Sequence, residues 1–452
     1  MSKSTPNQIN KKFRAYLFAT VLASMALSLG VVINGIIVGH LLGAEALSAV
    51  NLSTPIIQFI NALYLLMNVG GAILVAVAIG KQKYEEVNRI FSLSMFLNLI
   101  VGFVIVMSGI FFLDEVVRLL CSDAALQPLV KEYVSIILWS SPVYLLLPGL
   151  CVFVRTDSNP KLASVALITA NVVNVGLNFL FISVFSWGIR SASLSTAIGF
   201  LTGIAIVSLH FLKKERMIHF AKPALTQKTG ILLVTGLPLA LASALITVRL
   251  LSVNHIILSN LGVAGASILA VCFFLLMISV MFISGTVQTL QPIAGVLYGE
   301  EDYGGVRVAI KAAIKTLSIF LLGLLVLLLL FPGIFATLFG ISEVAMQTNV
   351  QMAIRLFSFC IPLFGLNYLI MAIYQLIGRN KFSIIISCAQ GLMVIPVMLL
   401  ASFLNSEVFI WLSFALGELL VFGIIGIVSR AVRRKHTELS PITLVPTPRQ
   451  NE

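Results

Sequence analysis

Charge is scarce in this sequence: Asp, Glu, Lys and Arg together make up 10% of 452 residues, while 59% are apolar. A soluble chain of that length would carry roughly 25% charged residues, so a water-facing enzyme or binding module is excluded. Histidine and cysteine number five each, and no CxxC pair occurs. Neither a zinc site nor a disulfide framework is indicated. His-rich or Asp-rich clusters, nucleotide loops and nucleophile motifs are also missing. Catalysis inside a membrane would need deep reactive groups that this chain does not supply, and no enzyme is expected. A channel is disfavoured too, because no ring of pore-lining charge can be read.

What is present is apolar sequence in long runs. A bilayer core about 30 Å thick needs about 20 apolar residues per helix. Twelve such runs lie near 15–38, 50–79, 90–113, 132–154, 162–184, 191–212, 231–258, 264–298, 308–335, 352–377, 383–403 and 408–429. The loops between them are short, so the fold class is an all-α integral membrane protein without a separate soluble domain. The basic N-terminus runs straight into the first run with no convincing small-residue cleavage site, which reads as an uncleaved first helix.

Of the 29 Lys and Arg residues, 24 fall in the two tails and in alternate loops, from Lys81 to Arg89, Arg155 to Lys161, Lys213 to Lys228, Arg307 to Lys315, and Arg379 with Lys381. Four fall on the opposite side, Arg118, Lys131, Arg190 and Arg355, and Arg249 alone lies well inside an apolar run. The positive-inside rule makes the basic side cytoplasmic, with both termini there, in a plasma or bacterial inner membrane. A basic collar facing anionic lipid headgroups also accounts for the net charge of +12 without nucleic acid.

The chain repeats itself. Leu42, Gly43, Gly80, Tyr84 and Val87 recur 219 positions later as Leu261, Gly262, Gly299, Tyr303 and Val306, and Pro142 is answered by Pro362. Two lobes of six helices are therefore expected. Residues 1–14 form a tail, 15–213 the first lobe, 214–228 a linker, 229–430 the second lobe, and 431–452 a disordered tail. Repeat-built membrane proteins of this kind place substrate where the repeats meet.

Several stretches carry a resemblance: "GHLLGAEALSAVNLSTPIIQF", "VRTDSNPKLASVALITANVVNVGLNFLFI", "WGIRSASLSTAIGF" and "QTLQPIAGVLYGEEDYGGVRVAI". In this order, with twelve runs and a duplication, the chain resembles the multidrug and toxic compound extrusion (MATE) family of the multidrug/oligosaccharidyl-lipid/polysaccharide flippase superfamily. The resemblance implies a monomeric secondary transporter. It would export organic, cationic or lipophilic small molecules by alternating access against a proton or sodium gradient, without any other cofactor. A flippase for a lipid-linked saccharide is the rival expectation. Members of the family hold a cation in the first lobe between an Asp on helix 1 and an Asn-x-x-x-Asp pair on helix 5. Here those positions are Asn34, Asn174 and Asn178. Amides do not titrate near neutral pH, so these residues either form a polar substrate or weak cation pocket, or join helices by hydrogen bonds.

Two charges lie deep in the second lobe, Arg249 on helix 7 and Glu418 on helix 12. Counted from the outer ends of their helices, both lie roughly 14 to 15 Å deep, so a pair is expected. It would be either structural or a coupling site in which Glu418 takes up protons. His255 is the remaining candidate for titration, or else an interfacial anchor. The repeat makes helices 2 and 8 equivalent. Gln58, Asn61, Tyr64, Met67 and Asn68 on one, and Met277, Met281, Gln288 and Gln291 on the other, are candidates for lining a cavity. Met and aromatic side chains there would suit varied guests.

Overall fold

The first helix starts where the sequence places a helix-capping box. Thr5 Oγ1 accepts from the backbone N–H of Gln8, Gln8 Oε1 accepts from the N–H of Thr5, and Pro6 fills the first helical turn. Residues 5–121, 123–223, 227–338 and 344–435 are described by this computed structural model. Regular structure among them is helical throughout. The membrane-length helices are α1 (Pro6–Leu42), α2 (Ala44–Gly80), α3 (Tyr84–Phe111), α4 (Gln127–Trp139 with Ser141–Thr156), α5 (Pro160–Ser183), α6 (Arg190–Leu212), α7 (Lys228–Gly262), α8 (Ala264–Gly299), α9 (Tyr303–Leu330), α10 (Gln347–Leu376), α11 (Asn380–Phe403) and α12 (Glu407–Arg430). Eleven are single helices, and α4 is a twelfth with a 51° bend at Ser140. Each covers one of the twelve apolar runs. The capping box carries α1 well below its expected start, through Lys11, Lys12 and Arg14 of the expected N-terminal tail. At the other end, helix continues from α12 to Lys435, and the rest of the expected tail lies outside the described residues.

The duplication is written in the backbone as well as in the side chains. Gly43 (φ +88°) and Gly262 (φ +62°) adopt the left-handed conformation that glycine accepts without a Cβ clash, and each lets the chain turn into its next long helix. Three further pairs of positive φ recur 219 or 220 positions apart: Gln82 with Glu301, Ser158 with Gly378, and Ser186 with Asn405. All lie in loops. The break at Ser140 in α4 is answered at Phe359 in α10.

Two compact units divide the chain after Phe13 and after Ala240. The second division lies inside α7 rather than in the expected linker at 214–228, because the linker is fastened to the first unit. Asp157 accepts from the N–H groups of Met217 and Ile218, Asn88 from that of His219, and Ser92 Oγ from that of Ala221. Phe220 packs among Phe91 and Phe211 beside these bonds. Lys228 then pairs with Glu86 at 2.9 Å. In the second unit the largest buried side chains, Trp411, Tyr374, Phe13, Phe357 and Phe414, come from α1, α10 and α12. Four of the five free cysteines are buried and the fifth, Cys388, is half-buried.

Candidate functional site

Each unit holds a polar cluster among its apolar helices that includes residues singled out from the sequence. In the first unit, Asn174 and Asn178 are four residues apart and therefore share a face of α5. Asn34 of α1 lies against both. Its Nδ2 donates to Asn174 Oδ1 at 2.5 Å, and its Oδ1 accepts from Asn178 Nδ2 at 3.1 Å. Asn174 Nδ2 donates to the Thr196 hydroxyl of α6 at 2.5 Å. The helices come this close because glycine stands at the contacts. A Cβ at Gly199 of α6 would overlap the carbonyl of Ala170 in α5, and one at Gly30 of α1 would overlap Asn171. Asn174 and Asn178 are buried, whereas Asn34 and Thr196 are half-buried. The cluster holds amides and a hydroxyl and no carboxylate, so it can donate and accept hydrogen bonds but cannot carry a proton near neutral pH.

The second unit supplies the charge. Arg249 Nη1 of α7 donates to Glu418 Oε1 of α12 at 2.8 Å, and to the carbonyl of Gln390 in α11 at 3.2 Å. Asn367 of α10 donates through Nδ2 to both the carbonyl and Oε2 of Glu418, each at 3.0 Å. Gln390 is itself held by the carbonyl of Phe364 at 3.0 Å. The guanidinium lies over the rings of Phe364 and Phe414, at 5.8 and 5.9 Å, where ring faces attract a cation. Glu418 is fully buried and Arg249 is 4% exposed. An ion pair so far from water needs its remaining hydrogen-bonding capacity met; Asn367 does this for the carboxylate, while on the guanidinium Nη1 also reaches the Gln390 carbonyl and Nη2 has no hydrogen-bond partner among the described residues.

The repeat explains why each cluster exists in one unit only. Arg249 and Glu418 correspond to Gly30 and Gly199, the two glycines at which the first unit packs its helices without side chains. In the other direction, Asn34 corresponds to Val253, and Asn174 and Asn178 to apolar positions between Met393 and Met398.

The remaining candidates are more dispersed. On α2, Gln58, Asn61 and Tyr64 are half-buried, and Met67 is buried in a π-helical turn from Leu65 to Val69. That turn is held by Asn68, whose amide exchanges hydrogen bonds with Asn98 of α3 at 2.9 and 2.7 Å. On α8, Met281 and Gln291 are buried and Gln288 is half-buried. Gln291 donates to Gln375 of α10 at 3.4 Å, an interaction between helices of one unit. The α2 residues belong to the first unit and the α8 residues to the second. His255 is exposed on α7, two turns from Arg249, and joins no ion pair among the described residues.

Sequence reasoning missed Asn367 and Gln390, neutral amides in apolar runs that carry no sign of a distant charged partner. It also missed a buried pair in the first unit, His210 Nε2 with Asp157 Oδ2 at 2.7 Å, with Asn159 on the other ring nitrogen at 3.2 Å. The only hint was that Asp157 and Asn159 sit in the quoted loop "VRTDSNPK".

Comparison with known proteins bears on both units. The MatE family profile matches residues 19–180 and 238–400, two stretches whose starts lie 219 positions apart. The multidrug export protein MepA of Staphylococcus saprophyticus is 23% identical over 375 residues, covering 81% of each chain. MepA of Staphylococcus haemolyticus is 22% identical over 372 residues, again covering 81% of each. Among solved structures, the outward-facing conformation of a multidrug resistance MATE family transporter of the MOP superfamily superposes with a TM-score of 0.86. It covers 96% of this chain and 97% of that one at 20% identity.

Proposed function

The chain belongs to the MatE family, and on that premise we propose that it is a secondary active transporter that exports organic cationic or lipophilic compounds by alternating access. An inward flow of protons or sodium ions drives the export. Both termini are cytoplasmic in this reading, the chain acts as a monomer in the plasma membrane, and its basic collar contacts anionic lipid headgroups.

The observation that carries the coupling mechanism is the Arg249–Glu418 pair. Among the described residues Glu418 is the only acidic residue deep within a membrane-length helix, and the first-unit positions that carry carboxylates in the resembled family hold amides here. Coupling therefore falls to the second unit. Glu418 can be neutralised either by Arg249 or by a proton, so a change of state that draws Arg249 away exchanges one for the other. The phenyl rings of Phe364 and Phe414 and the amide of Asn367 hold the pair closed in the state seen here. Each unit offers its own candidate substrate contacts: in the first, the amides with Gln58, Asn61, Tyr64 and Met67 of α2, and in the second, Met281, Gln288 and Gln291 of α8.

Reconstitution into sealed vesicles tests the proposal. Ethidium should move against its gradient when an opposing pH or sodium gradient is imposed, and should stop when the gradient is collapsed. Translocation of a lipid-linked saccharide without ethidium movement under either gradient would contradict it.

A further inference from the structure

The first-unit amides form a hydrogen-bonded chain with one direction. The Thr196 hydroxyl donates to the carbonyl of Ala192 at 2.8 Å, so its oxygen is left to accept. It receives Asn174 Nδ2. That orientation turns Asn174 Oδ1 toward Asn34 and obliges Asn34 to present Nδ2 to it. Asn34 must then offer Oδ1 to Asn178, which answers with Nδ2. Each amide has two ends, so the orientation of one sets the next, and Thr196 anchors them all. At the far end Asn178 Oδ1 is left over, a buried acceptor with no partner among the described residues. A buried acceptor without a donor costs free energy, and a row of aligned hydrogen bonds polarises its terminal oxygen further. Asn34 and Thr196 are half-buried, whereas Asn178 at the end of the row is fully buried.

We propose that Asn178 Oδ1 is a selectivity point for substrates bearing an N–H donor, so that this protein prefers protonated amines to quaternary ammonium ions of the same shape. The inference rests on the export reading above. It differs from a simple cation site, which would attract both ions alike, because the recognising group is a neutral oxygen that rewards a directed hydrogen bond. An ammonium N–H meets it, and an N-methyl group leaves it unpaired.

The test uses dimethyl(naphthylmethyl)ammonium, which has one N–H, and trimethyl(naphthylmethyl)ammonium, which has none. Binding of each to the purified full-length protein in nanodiscs is measured below the pKa of the amine. The wild type should bind the dimethyl ion about 5- to 10-fold more tightly, the worth of one hydrogen bond. Asn178→Leu should reduce that ratio to about one. Thr196→Val keeps Asn178 but removes the anchor of the chain's direction, and should lower the ratio at least about twofold. Equal affinities in the wild type, or a ratio unchanged in either folded variant, overturns the inference and leaves the export reading standing. Failure of the folded wild type to bind either ion overturns both. Should Asn178→Leu fail to fold, the Thr196→Val ratio decides.

Discussion

Glu418 of α12 stands at the helical position that Gly199 holds in α6, 219 residues earlier. At Gly199 the helix lies against the Ala170 carbonyl of its neighbour, and at Glu418 the position carries a carboxylate gripped by Arg249 at 2.8 Å. Arg249 likewise stands where the first unit has Gly30, which lies against the Asn171 side chain. A duplicated fold thus keeps its backbone turns in register while its two halves carry different polar chemistry.

Because the first-unit cluster contains amides and a hydroxyl but no carboxylate, it should be dispensable for coupling. Asn34→Ala breaks the row in its middle and removes the bonds to both Asn174 and Asn178. The expected outcome is an altered substrate range with gradient-driven transport retained, measured as efflux of several dyes under an imposed pH gradient. Loss of the pH response with intact dye binding would place the coupling site in the first unit.

Orientation is checked by labelling. With the five native cysteines replaced, a cysteine at Ser186, exposed in the loop between α5 and α6, should react with an impermeant maleimide added to intact cells, and one at Ser158 should not. The reverse pattern would invert the topology.

The fastening of the linker makes its own forecast. Asp157→Ala removes the partner of His210 and of two backbone N–H groups at once. Several buried polar groups are then left unpaired, each worth about 1–3 kcal/mol. The melting temperature should fall by several degrees, and trypsin should cut at Lys213, Lys214 or Arg216 in inside-out vesicles where the wild type resists. Unchanged melting and unchanged proteolysis would show that the linker is not held through Asp157.

Much of this arrangement can be read before any coordinates. Recurring glycines and loop residues reveal the duplication because left-handed turns tolerate few alternatives. Two asparagines four apart announce a shared helix face, and counting residues from the helix ends brings Arg249 level with Glu418. Asn367 and Gln390 stay hidden because a neutral amide in an apolar run has the same appearance whether it bonds its own backbone or a carboxylate on another helix. The Asp157–His210 pair stays hidden for a different reason: its members are 53 residues apart, one in a loop and one at a helix end, so no periodicity links them. The early start of α1 is written in Thr5, Pro6 and Gln8, but a capping box leaves no mark on hydropathy.

The most direct test of proton coupling through Glu418 is pH-gradient-driven ethidium transport by the double variant Arg249→Met with Glu418→Gln. Removing one partner strands a buried charge at about 3–5 kcal/mol, so either single variant should melt earlier than the wild type, whereas replacing both should restore folding. The account predicts a folded double variant that binds ethidium and no longer transports it in response to the pH gradient. Transport by that variant with the pH dependence of the wild type would contradict it.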